Sequence, residues 1–92
     1  MNAVTLVVLA VFATEVGDHS AAGKYLEAAR RHSRTSARRD RQLVEIAGLI
    51  ISGEHQHARD LSFVHTSEFP ADVDLLASFF RTQSDTDGHD PT

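Results

Sequence analysis

Six arginines, Arg30, Arg31, Arg34, Arg38, Arg39 and Arg41, fall within twelve positions and make up most of the nine basic residues in the chain. Clustered guanidinium groups suit the binding of carboxylates or phosphates. Arg30, Arg31 and Arg34 fall at the end of an expected helix, where positive charge complements the helix dipole and needs no ligand. Arg38 and Arg39 fall near the start of the next helix, where the same charge is unfavourable by roughly a few tenths of a kcal/mol. An anion is therefore expected beside them: an acidic tail, a partner's carboxylates or a phosphate backbone. Arg34, Arg38, Arg39 and Arg41 are the candidate anion-binding residues. Nucleic acid is the weaker choice, because the formal charge is −4 and no aromatic residue interleaves with the arginines to stack on bases.

The six histidines do not make a metal site. His55 and His57 are two apart and point in different directions on a helix; His57 and His65 are two turns apart, too distant to share one ion. No His-Glu-x-x-His or i,i+4 histidine pair occurs. Glu15, Asp18 and His19 are the compact acid–histidine group, and they read as a capped helix turn. With no cysteine, thiolate nucleophiles and zinc–thiolate sites are excluded. No glycine-rich phosphate loop follows a strand. The chain is not expected to be an enzyme, and neither a catalytic residue, a cofactor nor a metal is expected.

The elements that carry these residues are organised around Gly17 to Ala29. Gly17 closes a long apolar segment in the left-handed conformation that glycine tolerates, and Asp18 caps the next helix. Ala22, Leu26 and Ala29 then recur at steps of four and three, giving a small-residue apolar face that admits a close antiparallel neighbour. The preceding apolar segment is that neighbour. Shifting the chain by 36 residues places Gly17 on Gly53, Asp18 on Glu54, His19 on His55 and Ala22 on Ala58, with Val7, Val8 and Ala13 on Leu43, Val44 and Leu49. A period of this length marks stacked helix pairs.

A glycine, an acidic residue and then an alanine five positions after the glycine resembles the tetratricopeptide repeat. Leu26 and Ala29 stand where that motif has a large and a small apolar residue, and Gly53, Ala58 and Pro70 match its glycine, alanine and closing proline. The chain departs from the pattern at Arg34, in place of the first proline, and at Ser62 and His65. The likeness covers residues 3 to 83. It implies a right-handed stack of helix pairs that binds proteins, and it implies no chemistry. In that family the first helix of each pair lines the concave face. By analogy Val4, Val7, Val11, Leu43, Ala47 and Ile50 would look into a groove, a surface too apolar to be left in water unless another helix fills it. A fifth helix already covering the face is the alternative.

In chain order, Ala3 to Val16 is apolar almost throughout. It is too short to span a bilayer, which needs about 20 residues, and it has no Lys or Arg before Lys24 to form a signal-peptide leader. Its valines also suit a buried strand, but the Gly-Asp stop and the repeat favour a helix. Helix two runs from about His19 to Ser33, and a polar loop leads to a third helix ending near Ser52, with Leu43, Ile46, Ala47 and Ile50 buried. Helix four, about Glu54 to Ser67, is expected to turn Ala58, Leu61, Val64 and His65 inward with Phe63 beside them. Pro70 opens a fifth, capping helix bearing Val73, Leu76, Phe79 and Phe80. Residues 84 to 92, with Asp85, Asp87 and Asp90 and no apolar side chain, read as a disordered acidic tail.

The expectation is an all-α domain over residues 1 to 83, two antiparallel hairpins and a cap, serving as a cytoplasmic protein-interaction or oligomerisation module. Its partner is a protein or peptide, and a homodimer is one form of that. A chain this size buries only about 60 to 65% of its unfolded surface, so self-association would help it. The alternative function is anion or nucleic-acid binding through the arginine cluster.

Overall fold

The computed structural model describes the backbone of residues 2–87 and the side chains of residues 2–80. Five helices follow one another: α1 (Ala3–Glu15), α2 (His19–Ser33), α3 (Arg38–Ile51), α4 (His55–Glu68) and α5 (Val73–Asp87), with a 3-10 turn at Pro70–Asp72 before α5. The described residues form no strand, so the valine-rich opening is helical. Asn2 starts it, its side-chain oxygen accepting from the Thr5 N–H at 2.8 Å.

The two hairpin tips are copies of each other at the level of single hydrogen bonds. Gly17 N–H donates to the Thr14 carbonyl (3.1 Å) and Asp18 N–H to Ala13 (2.8 Å); 36 residues on, Gly53 N–H donates to Ile50 (3.1 Å) and Glu54 N–H to Leu49 (2.9 Å). This pair of reversed bonds is the Schellman stop, which needs a residue at positive φ. Gly17 has φ 84° and Gly53 φ 86°. The tips differ in their caps: the Asp18 carboxylate accepts from Ala21 N–H at 3.0 Å, whereas Glu54 makes no side-chain cap bond.

α1 packs on α2 and on α3, α3 also packs on α2 and α4, and α5 returns to touch α1 and α4. Ala22, Leu26 and Ala29 of α2 and Leu43, Ile46, Ala47 and Ile50 of α3 are buried as their spacing requires. Leu76 and Phe79 of α5 join the same core. This closes the face that was expected to be open. Val7, Val11, Leu43, Ala47 and Ile50 are buried, Val7 and Leu43 completely, and Val4 is half-buried against them. They form the domain's own core and no partner-binding groove, because α1, α2 and α3 pack on one another across these positions.

Two further expectations are corrected. In α4 the inward stripe is Ala58, Ser62 and His65, while Val64 and Phe63 face outward. Ser62 is admitted to the interior because its hydroxyl donates to the Ala58 carbonyl at 2.8 Å and so brings no unpaired polar group with it. The helical domain also runs past residue 83, since α5 continues to Asp87; the rest of the expected acidic tail, 88–92, lies outside the described residues.

Candidate functional site

Arg39 and Asp72 lie 33 positions apart, and the Arg39 side chain reaches from the start of α3 to the 3-10 turn. Arg39 Nε donates to Asp72 Oδ2 (2.9 Å) and Nη2 to Oδ1 (2.7 Å), a two-pronged pairing of guanidinium and carboxylate. The same Oδ2 also stands 2.7 Å from His65 Nε2, and His65 Nδ1 stands 2.6 Å from Gln42 Oε1. His65 is wholly buried and Asp72 nearly so, while Arg39 is 40% exposed at its side chain. The His65 ring also lies 4.9 Å from that of Phe69. A neutral imidazole has one N–H for two oxygen neighbours. The site is therefore satisfied by the imidazolium, or by the Nε2–H tautomer with the Gln42 amide turned to present its NH2 to Nδ1.

This cluster ties α3, α4 and the turn that launches α5 into one unit. It offers no reactive atom to a substrate: both ring nitrogens and both carboxylate oxygens are spent on neighbours. Hydrogen bonds from Arg39 hold the Asp72 carboxyl below the usual carboxylate range, burial opposes them, and His65 adds to the lowering. A carboxyl depressed in the folded state stabilises the fold above its unfolded pKa, and that contribution disappears as pH falls through the folded value. Urea melts over a falling pH series are thus expected to show stability lost from about pH 4 downward, with a shallower slope in Asp72→Asn. Equal slopes would show that the pair adds nothing to the acid limb.

The candidate anion-binding arginines are not gathered into one site. Arg38 pairs with Glu68 at 3.1 Å on the surface, Arg39 is taken by Asp72, Arg41 donates to the Ser36 carbonyl, and Arg34 stands exposed. The anions demanded by positive charge at the start of α3 are present within the chain, as Glu68 and Asp72. A hollow brings Arg41 together with Arg30, but Glu45 and Glu54 line it too, so it does not select anions. Among the described residues no group of three or more His, Cys, Asp or Glu is placed to hold a metal ion, and no helix is long and apolar enough to cross a membrane.

The site that invites a ligand is apolar. α4 and α5 diverge to leave an open groove of about 350 Å³ whose lining includes Phe63, Val73, Leu76, Ala77 and Phe80. Phe63 is 80% exposed and Val73 49%. Ser62 and Thr66 also line it, yet their hydroxyls donate to the carbonyls of Ala58 and Ser62, so the groove carries no free hydroxyl donor from them. Arg59 lies over the Phe80 ring, its Cζ 5.7 Å from the centroid. The sequence reading placed Phe63 beside the inward residues and missed this face. The signal was the run Ser62-Phe63, in which a hydroxyl able to bond its own helix takes the inward position.

The fold thus defines an all-α domain of two helical hairpins closed by a fifth helix. No known protein family matches the chain, and no curated protein or solved structure is significantly similar to it.

Proposed function

We propose that the chain is a protein-interaction module that seats the apolar face of a partner helix in the α4–α5 groove. The observation that carries this is Phe63, 80% exposed at the edge of a groove shared with Val73 and Phe80. A lone exposed apolar side chain is ordinary; several along one concave surface are characteristic of a binding face. Helix-in-groove docking uses such a surface through residues spaced one turn apart. The likeness to tetratricopeptide repeats supports the reading, through the matched glycine stops and the paired helices, although the docking face moves from the concave side to the outer groove. The arginine-centred alternative has less support, since Arg38 and Arg39 already have carboxylates within the chain.

The test uses two probes, a net-neutral amphipathic helical peptide with a leucine face and a single-stranded oligonucleotide. Fluorescence titration is expected to show peptide binding that is indifferent to salt and weakened at least about tenfold in Phe63→Asp. Arg34→Ala and Arg41→Ala should bind as the parent does. A folded chain that neither takes up the helix probe nor associates with itself would overturn the reading. Oligonucleotide binding that falls steeply with salt would replace it with the alternative.

A further inference from the structure

We infer that the helix seated in the α4–α5 groove is α1 of a second copy of this chain. The inference rests on the docking reading above and names its partner. The outer face of α1 carries Val8 and Phe12, and the C-cap Val16 continues the row at the next fourth position; all three are exposed, with Phe12 at 57%. A row at i, i+4 and i+8 is the ridge that fits between two helices. This ridge borders α5 at Ser78 and Phe79, whereas the groove borders α5 at Val73 and Leu76. The two apolar faces lie on different flanks of α5 and cannot cover each other within one chain. Between two copies they can.

Charge gives the contact its direction. Glu15 adjoins Phe12 in the last turn of α1, where a helix dipole disfavours an acid and no basic residue offsets it. Arg59 stands at the groove, over Phe80. Neither has an ion-pair partner among the described residues. A ridge bearing a carboxylate and a groove bearing a guanidinium, neither ion-paired among the described residues, are complementary in both shape and sign. Ridge and groove are different surfaces, so the contact is heterologous: each copy offers a groove to one neighbour and a ridge to another, which builds rings or open chains.

Sedimentation velocity over a concentration series tests this. The parent chain is expected to grow in mass with concentration. Phe12→Asp and Phe63→Asp, each confirmed helical by circular dichroism, should stay monomeric. Mixed one to one they should form a dimer, because the first retains a groove and the second a ridge; the double variant Phe12→Asp/Phe63→Asp should remain monomeric in any mixture with itself. Glu15→Arg and Arg59→Glu should each weaken association at least about threefold, and the two in one chain should restore it. The proposal is overturned if the mixture stays monomeric, if Phe12→Asp associates like the parent, or if the parent is monomeric throughout. Helix-probe binding by a monomeric parent would leave the groove a docking site with a different occupant; absence of both would remove the groove as well.

Discussion

Arg39→Met is expected to lower the stability of the domain by about 3 kcal/mol and its melting temperature by on the order of 15 °C. The substitution keeps the length of the side chain and removes the fork, leaving the buried Asp72 carboxylate with His65 as its one hydrogen-bond partner. Removing one member of a fully buried pair costs about 3 to 5 kcal/mol. The lower end applies here because the Arg39 side chain is 40% exposed, so water already screens the pair. Arg39→Lys should recover only part of the loss, since an ammonium cannot bond both carboxylate oxygens in the same plane. Asp72→Asn placed in the Arg39→Met background should recover part of it too, because the amide oxygen still accepts from His65 without burying a charge. Thermal and urea melts of the parent, Arg39→Met, Asp72→Asn and the double variant form a double-mutant cycle. Arg39→Met melting with the parent would mean that the pair is an incidental contact and that α5 is held by its apolar residues alone.

Ile50→Asp is expected to unfold the chain outright. Ile50 is 1% exposed, so the change forfeits about 2 to 3 kcal/mol of apolar burial and places a carboxylate among Leu43, Ile46 and Ala47 with no partner. A buried unpaired charge costs several kcal/mol more. Together these approach or exceed the roughly 5 to 15 kcal/mol that holds a domain folded, and the lower part of that range applies to a chain this small. Val7→Asp should behave in the same way. Phe63→Asp, at the opposite extreme of exposure, should change stability by no more than about 0.5 kcal/mol. Circular dichroism and amide dispersion in a nitrogen–proton spectrum distinguish the three. A folded Ile50→Asp that had lost only partner binding would falsify the assignment of this face to the core.

Acid at the start of α3 illustrates how far spacing alone reaches. Arg38 and Arg39 near a helix N-terminus call for a negative charge, and the charge is there. Its source is Glu68 and Asp72, from the end of α4 and the turn beyond it, where an acidic tail, a partner or a phosphate had been the expected donors. Nothing in the spacing of residues 39 and 72 announces that they touch. His65 is expected inward with Ala58 and is buried, but its two oxygen neighbours come from α3 and from the 3-10 turn. Phe63 and Val64 were placed inward or beside the interior on hydrophobicity, and both face out. The α4 stripe at 58, 62 and 65 is decided by what α3 presents to it, and Ser62 fits there because its hydroxyl is satisfied within its own helix.

Read alone, the chain specifies its helices, their stops and most of their buried faces. Gly17 and Gly53 end helices because only glycine occupies positive φ without strain, and the bonds that close each tip span at most five residues. Ala22, Leu26, Ala29, Leu43, Ala47 and Ile50 declare their side by a period of 3.6, which is a property of one helix by itself. Whether a buried face becomes a core or a docking groove is a different kind of quantity. It depends on which helix arrives to cover it, and α5 reaches α1 through a turn latched by a contact 33 residues apart in sequence. Local periodicity says that a surface must leave water. The packing of distant helices chooses what it leaves water for, and here that choice buries the α1–α3 face and leaves Phe12 and Phe63 outside.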